Sequence, residues 1–295
     1  MTYTRTGSPA TYSTSRRSRL YWNMVNQRGE LVPAHLMMVT GDATFFAYRD
    51  HTGFSPENCE GLFPINNVLS FETLGETVAL DQLLESEVRY RMLIRRAGAD
   101  SVIERGYLHF DVDVFCPAEG PQRRRVARAE SWLALTRPFH PPAERGVREL
   151  PAIFQTLDEH PIVPGIGLPP LEDPGSYRAE PVPEGREFYG ENRVYFSLDR
   201  TDMYQHINTI EYFHEAQDEV ARLAAESGLP MGQMQTRYFQ TYFRKPFHAG
   251  TVGLCRVWLT ANATHWRAAV HFHHIADGQP SAKVSVASRL AGVLV

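Results

Sequence analysis

The order of elements in the second half of the chain constrains the fold most. Residues 208–227 place apolar side chains at spacings of three and four, with Asn208 able to cap the start and Gly228 just beyond the end. This pattern predicts one long amphipathic helix. Strand-like runs rich in β-branched and aromatic residues surround it, at 193–198 before it and at 235–245, 251–260, 264–275 and 282–290 after it. One helix followed by a strand meander is typical of an α+β unit.

The first half shows a looser version of the same order. We expect a short strand at 20–25, a helix at 35–48, an irregular insertion with a helix at 78–85, and strands at 88–96, 101–114 and 125–135. The halves share little residue identity, so the shared order of elements is what indicates a duplication. The predicted fold class is α+β, with two tandem units that each pack a long helix against an antiparallel sheet.

Proline divides the chain into these parts. More than half of the 20 prolines fall within 138–183, and proline interrupts helices and central strands. We therefore predict four segments: a flexible tail at 1–17, a first domain at 18–137, a proline-rich linker at 138–187 with a short helix at 150–157, and a second domain at 188–295.

Charge and cysteine content exclude several classes of protein. A net charge of −4 gives no overall basic field for nucleic acid or an anionic membrane. The three cysteines are far apart and form no CxxC pair, which argues against a disulfide framework and a cysteine-rich zinc site. The N-terminal residues lack the apolar stretch of a secretory signal. We expect a cytoplasmic protein with no nucleic-acid partner, no membrane partner, no metal and no cofactor.

The residue types that carry chemistry cluster where a loop leads into the long helix. Asp202, His206 and Asn208 lie there. The first N–H groups of a helix have no intrahelical partner and carry partial positive charge, so an oxyanion could be stabilised at that point. Asp202 could act as general base or nucleophile, and His206 could orient a substrate. Alternatively, Asp202 and Asn208 cap the loop and helix, and His206 is a buried, hydrogen-bonded histidine.

This segment resembles a family signature. The run Asp202-Met-Tyr-Gln-His206-Ile-Asn208-Thr-Ile-Glu-Tyr212 is similar to the Asp-x-x-x-His-Val-Asn-Asn-x-x-Tyr pattern of hot-dog-fold thioesterases, especially the acyl-ACP and 4-hydroxybenzoyl-CoA thioesterase-like groups. The resemblance covers about 193–290, and the first half resembles the fold only by its element order. Together the halves look like a double hot-dog.

The resemblance implies roles for individual residues. Asp202 matches the family's catalytic carboxylate, and His206 and Asn208 match its histidine and first asparagine. Substrate contacts are expected from Tyr204, Thr209 and Tyr212.

The chain also departs from the family pattern. Tyr204 stands where plant acyl-ACP enzymes usually carry asparagine, and Thr209 replaces the second asparagine. Residues 242–248 lack the carboxylate or cysteine that those enzymes place on the later strand.

A second acid position comes from other hot-dog thioesterases, which carry the carboxylate within the helix. Glu215 in the second half occupies roughly that place, and we include it among the catalytic candidates. Asp42 in the first half is similarly placed, with His35 at the start of its helix, and both are candidate substrate contacts. The alternative for Glu215 is a solvated helix face, and for Asp42 and His35 a structural role.

The resemblance implies a thioester hydrolase that acts on an acyl-CoA or an acyl-carrier-protein substrate. The reaction would be carboxylate-assisted, with an oxyanion site at the helix N-terminus near residues 206–208. Two alternatives stay open: a 3-hydroxyacyl-thioester dehydratase or hydratase of the same fold, and a non-catalytic acyl-binding protein. The oligomeric state also stays open, between an internally paired monomer and a homodimer or higher oligomer.

Overall fold

A computed structural model describes most of the chain and divides it into two compact units. The described residues are 4–6, 11–26, 28–80, 82–97, 102–117, 122–141, 144–147, 149–161, 181–202, 206–276, 278–281 and 283–295. The first unit comprises residues 1–31, 36–69 and 74–170, and the second comprises residues 32–35, 70–73 and 171–295.

The first unit is built on an antiparallel sheet. Its strands are β1 (Thr4–Thr6), β2 (Thr11–Arg19), β3 (Phe63–Thr73), β4 (Leu83–Ala97), β5 (Val102–Pro117), β6 (Arg123–Thr136) and β7 (Glu159–Pro161). They lie in the order β1-β2-β4-β5-β6-β3, while β7 runs parallel to part of β4. The helix α1 (Pro33–Thr52) belongs mostly to this unit.

One face of this sheet packs against α1. Alternate residues of β5, from Leu108 to Val114, are fully buried, as expected for side chains that share one face of a strand. The ring of Phe110 stacks on Tyr90 of β4 at 5.3 Å and lies 6.1 Å from Tyr48 of α1. The core of the first unit therefore lies between α1 and the sheet.

The second unit repeats this arrangement. Its strands are β8 (Arg186–Tyr195), β9 (Met234–Phe243), β10 (Val252–Ala261), β11 (His265–Ala276), β12 (Gln279–Pro280) and β13 (Val286–Leu294), in the order β9-β13-β11-β10-β8, with β12 beside β11. The helix α2 (Thr209–Glu226) packs on this sheet, with Phe213 4.7 Å from Phe239 and Tyr212 5.9 Å from Phe272. The predicted α+β class is confirmed.

Both long helices were predictable from local pattern. The side chain of Asn208 caps α2 by accepting the N–H of Ile210 at 3.3 Å, and Gly228 follows the helix with a φ of 74°. Phe213, Val220 and Leu223 from the predicted apolar stripe are buried. The predicted helix at 35–48 is confirmed within α1, which extends further at both ends.

Several predictions for the first half are wrong, because pairing between distant segments decided them. Residues 11–19 form β2 instead of a flexible tail, since β2 pairs along β4 from Tyr12↔Tyr90 to Arg19↔Leu83. The predicted helix at 78–85 is absent, because β4 begins at Leu83 and takes its last residues. Within the expected irregular insertion, residues 63–73 form β3.

Two short elements also differ from expectation. Residues 22–24 form a 3-10 turn where a strand was predicted at 20–25, because the sheet pairing of β2 ends at Arg19. Residues 150–157 form successive turns instead of a helix, with Phe154 N–H donating to Pro151 and Leu157 N–H to Phe154. In the described part of the chain, neither helix combines the length and apolar character needed to cross a membrane.

Candidate active site at the start of α2

The loop before α2 closes on itself around Asp202. The Asp202 N–H donates to the carbonyl of His206 at 2.8 Å, and Asp202 Oδ1 accepts the N–H of His206 at 3.1 Å. Thr201 and Ile207 form an antiparallel bridge just outside this turn. The carboxylate is therefore held beside His206, and Asp202 fills the capping role that the sequence offered as the alternative. Tyr204 lies outside the described residues.

A second loop, which follows β9, joins this turn. Ile207 N–H donates to the carbonyl of Phe247 at 2.9 Å, and Phe247 N–H donates to the hydroxyl of Tyr212 at 2.8 Å. His206 and His248 then face each other as an antiparallel bridge. The structure thus brings together Asp202, His206 and Tyr212 from the sequence prediction, and it adds His248.

The amides expected to form the oxyanion site are already engaged. His206, Ile207 and Asn208 donate their N–H groups to Asp202, Phe247 and Arg200, respectively. The N–H groups of Ile210 and Glu211 donate to the side chain and the carbonyl of Asn208. Flanking loops and the helix cap satisfy these donors, so an oxyanion site at the helix N-terminus stays a prediction and would need a donor other than these three amides.

Tyr212 and Thr209 belong to the helix. Thr209 is the first residue of α2 and is partly exposed. Tyr212 is buried among aromatic rings, including Phe196 and Phe272. Burial raises the pKa of Tyr212, and the charge of Asp202 also raises it, so the phenol stays protonated while its oxygen accepts the Phe247 N–H. Tyr212 therefore anchors the second loop, and its predicted role as a substrate contact stays a prediction.

Removing the hydroxyl of Tyr212 should loosen this loop. We expect Tyr212→Phe to lower the free energy of unfolding by about 1–3 kcal/mol, because a buried N–H of Phe247 loses its acceptor. Tyr189→Phe is the matched control, since the Tyr189 hydroxyl is exposed and bonded to Glu191. Urea unfolding of both variants measures the difference, and equal losses would contradict the anchoring role.

Glu215 is engaged in an ion pair. Its Oε2 lies 2.8 Å from Nη1 of Arg200, whose carbonyl accepts the N–H of Asn208. Burial raises the pKa of Glu215, and the hydrogen bond from Arg200 works in the opposite direction. This pair ties the loop to α2, so the described contacts of Glu215 are structural, and a catalytic role for it stays a prediction.

The two remaining candidates are residues of α1. Asp42 lies on the exposed face of α1 in the first unit. In the second unit, the His35 ring lies 5.4 Å from that of His214, and burial, followed by the charge of His214, lowers the pKa of His35. His214 lies on α2, two residues after Tyr212.

His248 was missed by sequence reasoning. It lies in the turn at 248–250, which the sequence indicates only as a break between two strands. Which residue of that turn faces His206 depends on the register between two loops, and no local pattern encodes that register.

Two cavities of the second unit lie away from this site. They measure about 480 and 180 Å³ and share Trp266 in their linings, which include Arg237 and Arg267 in the larger one. Trp266 is at the start of β11, whereas His274, beside the site, is near its end. At about 3.3 Å per residue, roughly 25 Å of strand separates them. Neither cavity is lined by Asp202 or His206.

A separate polar cluster lies on the sheet of the first unit. Ligand-type atoms of His109, Asp111 and Glu130 lie within 4.8 Å of one another. His109 Nε2 bonds Glu130 at 2.8 Å, Arg91 Nε donates to His109 Nδ1 at 3.3 Å, and Arg128 lies 3.4 Å from Asp111. The hydrogen bond from His109 lowers the pKa of Glu130 most. These contacts make the cluster an ion-pair network.

Comparison with known proteins bears on the fold. No model of a protein family matches the sequence, and no curated protein shows significant sequence similarity to it. Solved structures do match over nearly the whole chain. A protein assigned as an oleoyl thioesterase from Lactobacillus plantarum superposes with a TM-score of 0.66 at 13% identity, covering 99% of both chains. The chain has a hot-dog thioesterase-like fold.

Two further structures agree with this result. An acyl-ACP thioesterase from Bacteroides thetaiotaomicron VPI-5482 has a TM-score of 0.59 at 12% identity, over 95% of this chain and 97% of that one. The 12:0-ACP thioesterase from Umbellularia californica has a TM-score of 0.56 at 11% identity, over 94% and 96%. At these identities the likeness concerns the fold alone, since one fold hosts many functions.

Proposed function

We propose that this chain hydrolyses acyl thioesters of coenzyme A or of an acyl carrier protein. The observation that carries the proposal is the Asp202 carboxylate, held beside His206 at the positive end of α2. A carboxylate and an imidazole at one loop supply a base and a hydrogen-bond donor, which are the groups that thioester hydrolysis requires. The shared fold with thioesterases adds support.

In the proposed reaction, Asp202 activates water. The water oxygen bonds to the acyl carbon as the carbonyl π pair moves to oxygen, and Asp202 takes a proton from that water. The carbonyl then re-forms, and the C–S bond breaks with its electron pair on sulfur. The proton passes from Asp202 to sulfur, so thioester and water give carboxylic acid and thiol.

The oxyanion of this reaction needs a donor other than the loop amides. Since the N–H groups of His206, Ile207 and Asn208 donate within the protein, we assign this role to the imidazole N–H of His206. The partial positive charge at the start of α2 stabilises the same oxyanion at longer range. His206 is thus the proposed electrophilic group, and Asn208 acts as the helix cap that holds the loop in place.

We also propose that the two units form a double hot-dog. Each unit has one long helix on an antiparallel sheet, as a duplicated unit would. The domain limits at 18–137 and 188–295 and a cytoplasmic location stay predictions. Part of the predicted linker, 162–180, lies outside the described residues.

The test is release of free thiol from a panel of acyl-CoA and acyl-carrier-protein thioesters of graded chain length. We expect turnover with at least one member, with the rate set by the acyl group. A panel with no thiol release would contradict the proposal. Enoyl absorbance formed from a 3-hydroxyacyl-CoA would favour a dehydratase, and saturable binding without turnover would favour an acyl-binding protein.

A further inference from the structure

The imidazoles of His206 and His248 meet edge to face. Their ring centres are 4.9 Å apart, with the ring planes inclined at 61°. The contact follows from the backbone, because the two residues oppose each other in an antiparallel bridge. Opposed residues in such a pair place their Cβ atoms on the same face, about 5 Å apart. The two rings are thus held together by register.

The loop that carries His248 is fixed at several points. Phe247 is held by Ile207 through its carbonyl and by Tyr212 through its N–H. The Phe247 ring is fully buried and stacks on His274 at 3.9 Å with an angle of 18°. Just after the turn, Thr251 N–H donates to the carbonyl of His248 at 3.1 Å. His248 therefore has a rigid backbone on which to present its ring.

Asp202 fixes the main chain at His206. Its Oδ1 accepts the backbone N–H of His206, a bond that acts on the main chain. A histidine that must point one N–H at a substrate depends on a neighbour to set its ring plane and tautomer. The neighbour in contact with the ring of His206 is the ring of His248.

His248 differs from the core histidines in the exposure of its side chain. Its side chain is exposed, whereas His271 and His273 of β11 are buried. The ring of His248 therefore lies at the surface, on a fixed loop, in contact with the ring of His206.

We propose that His248 is a positioning residue for the reaction, which sets the ring orientation of His206 and so the direction of its N–H. This inference rests on the proposed thioester hydrolysis and deepens it.

The charged and titratable groups around the pair come from four elements. Asp202 lies on the loop before α2, Lys245 precedes Phe247, Tyr212 reaches in from α2, and His274 lies on β11. Burial lowers the pKa of His274 most, Lys245 lowers it next, and His248 contributes least. His274 is therefore a neutral stacking partner near neutral pH.

The kinetic test compares His248→Ala and His248→Gln with His265→Ala. His265 is an exposed histidine at the other end of β11, so it controls for loss of a surface imidazole. We expect His248→Ala to lower kcat about 10- to 100-fold with KM changed less than about twofold, the usual cost of a misplaced catalytic group. His248→Gln should restore part of kcat, and His265→Ala should match the parent.

A second readout does not depend on activity. The ¹⁵N resonances of the His206 ring, followed through a pH titration, report its tautomer and pKa. We expect the titration curve of His206 to shift in His248→Ala and to stay unchanged in His265→Ala. Superimposable His206 curves in parent and His248→Ala would overturn the pairing. If the parent releases no thiol from any thioester, the proposed function fails, while this titration still decides whether His248 controls His206.

Discussion

Asp202→Asn should lower kcat for thioester hydrolysis about 100-fold or more. General-base catalysis typically contributes 10²- to 10⁴-fold, and an amide cannot accept the water proton. Asparagine keeps the Oδ1 that accepts the His206 N–H, and it favours the same loop conformation as aspartate. The substitution therefore removes the charge while it preserves the turn, which separates catalysis from capping.

The matched control is Asp199→Asn in the same loop. Asp199 is exposed and accepts a hydrogen bond from Ser197, so its loss changes the charge of the loop by the same amount. We expect kcat within about twofold of the parent for this variant. Initial rates of thiol release over a range of substrate concentrations give kcat and KM for both. If Asp202→Asn also stays within twofold, Asp202 only caps the loop.

Gly292→Ala should be the most damaging small substitution for stability. A Cβ at this position would lie 1.9 Å from the backbone oxygen of Gln235 and 2.7 Å from the indole of Trp266. The position lies at an irregularity in the pairing of β13 with β9, between Ala291 and Gly292. Neither the Gln235 carbonyl nor the buried Trp266 can move without disturbing the sheet. We therefore expect the free energy of unfolding to fall by about 3 kcal/mol or more.

Gly232→Ala controls for the loss of a glycine. Gly232 lies in the turn before β9, where an added Cβ meets nothing within 4 Å. Replacing it should leave the stability unchanged or raise it slightly, because alanine restricts the unfolded chain. The urea midpoints of both variants measure the change in stability. The loss expected for Gly292→Ala is large against a total free energy of unfolding of about 5–15 kcal/mol. A Gly292→Ala midpoint equal to that of Gly232→Ala would show that the strand shifts to make room.

Local pattern was sufficient for the two long helices and for the position of the candidate site. The apolar spacing and the cap at Asn208 predicted α2, and the order of strands predicted the α+β class. The spacing of Asp202, His206 and Asn208 located the loop in which the structure joins them. The helix and the loop before it depend on residues close together in the chain, so a single segment encodes each of them.

What the sequence by itself determined about this protein is therefore the long helix α2, the strand meander after it and the acid–imidazole loop before it. Only the tertiary structure decided that residues 11–19 pair with β4, that the amides at 206–208 donate hydrogen bonds within the protein, and that His248 faces His206. The physical reason is that most of these outcomes depend on the register between segments far apart in the chain: β2 with β4, Ile207 with Phe247, and His206 with His248. The amides of His206 and Asn208 are instead engaged within their own loop. A register between distant segments is fixed by closing hydrogen-bond ladders and burying one face, and local propensity does not specify it.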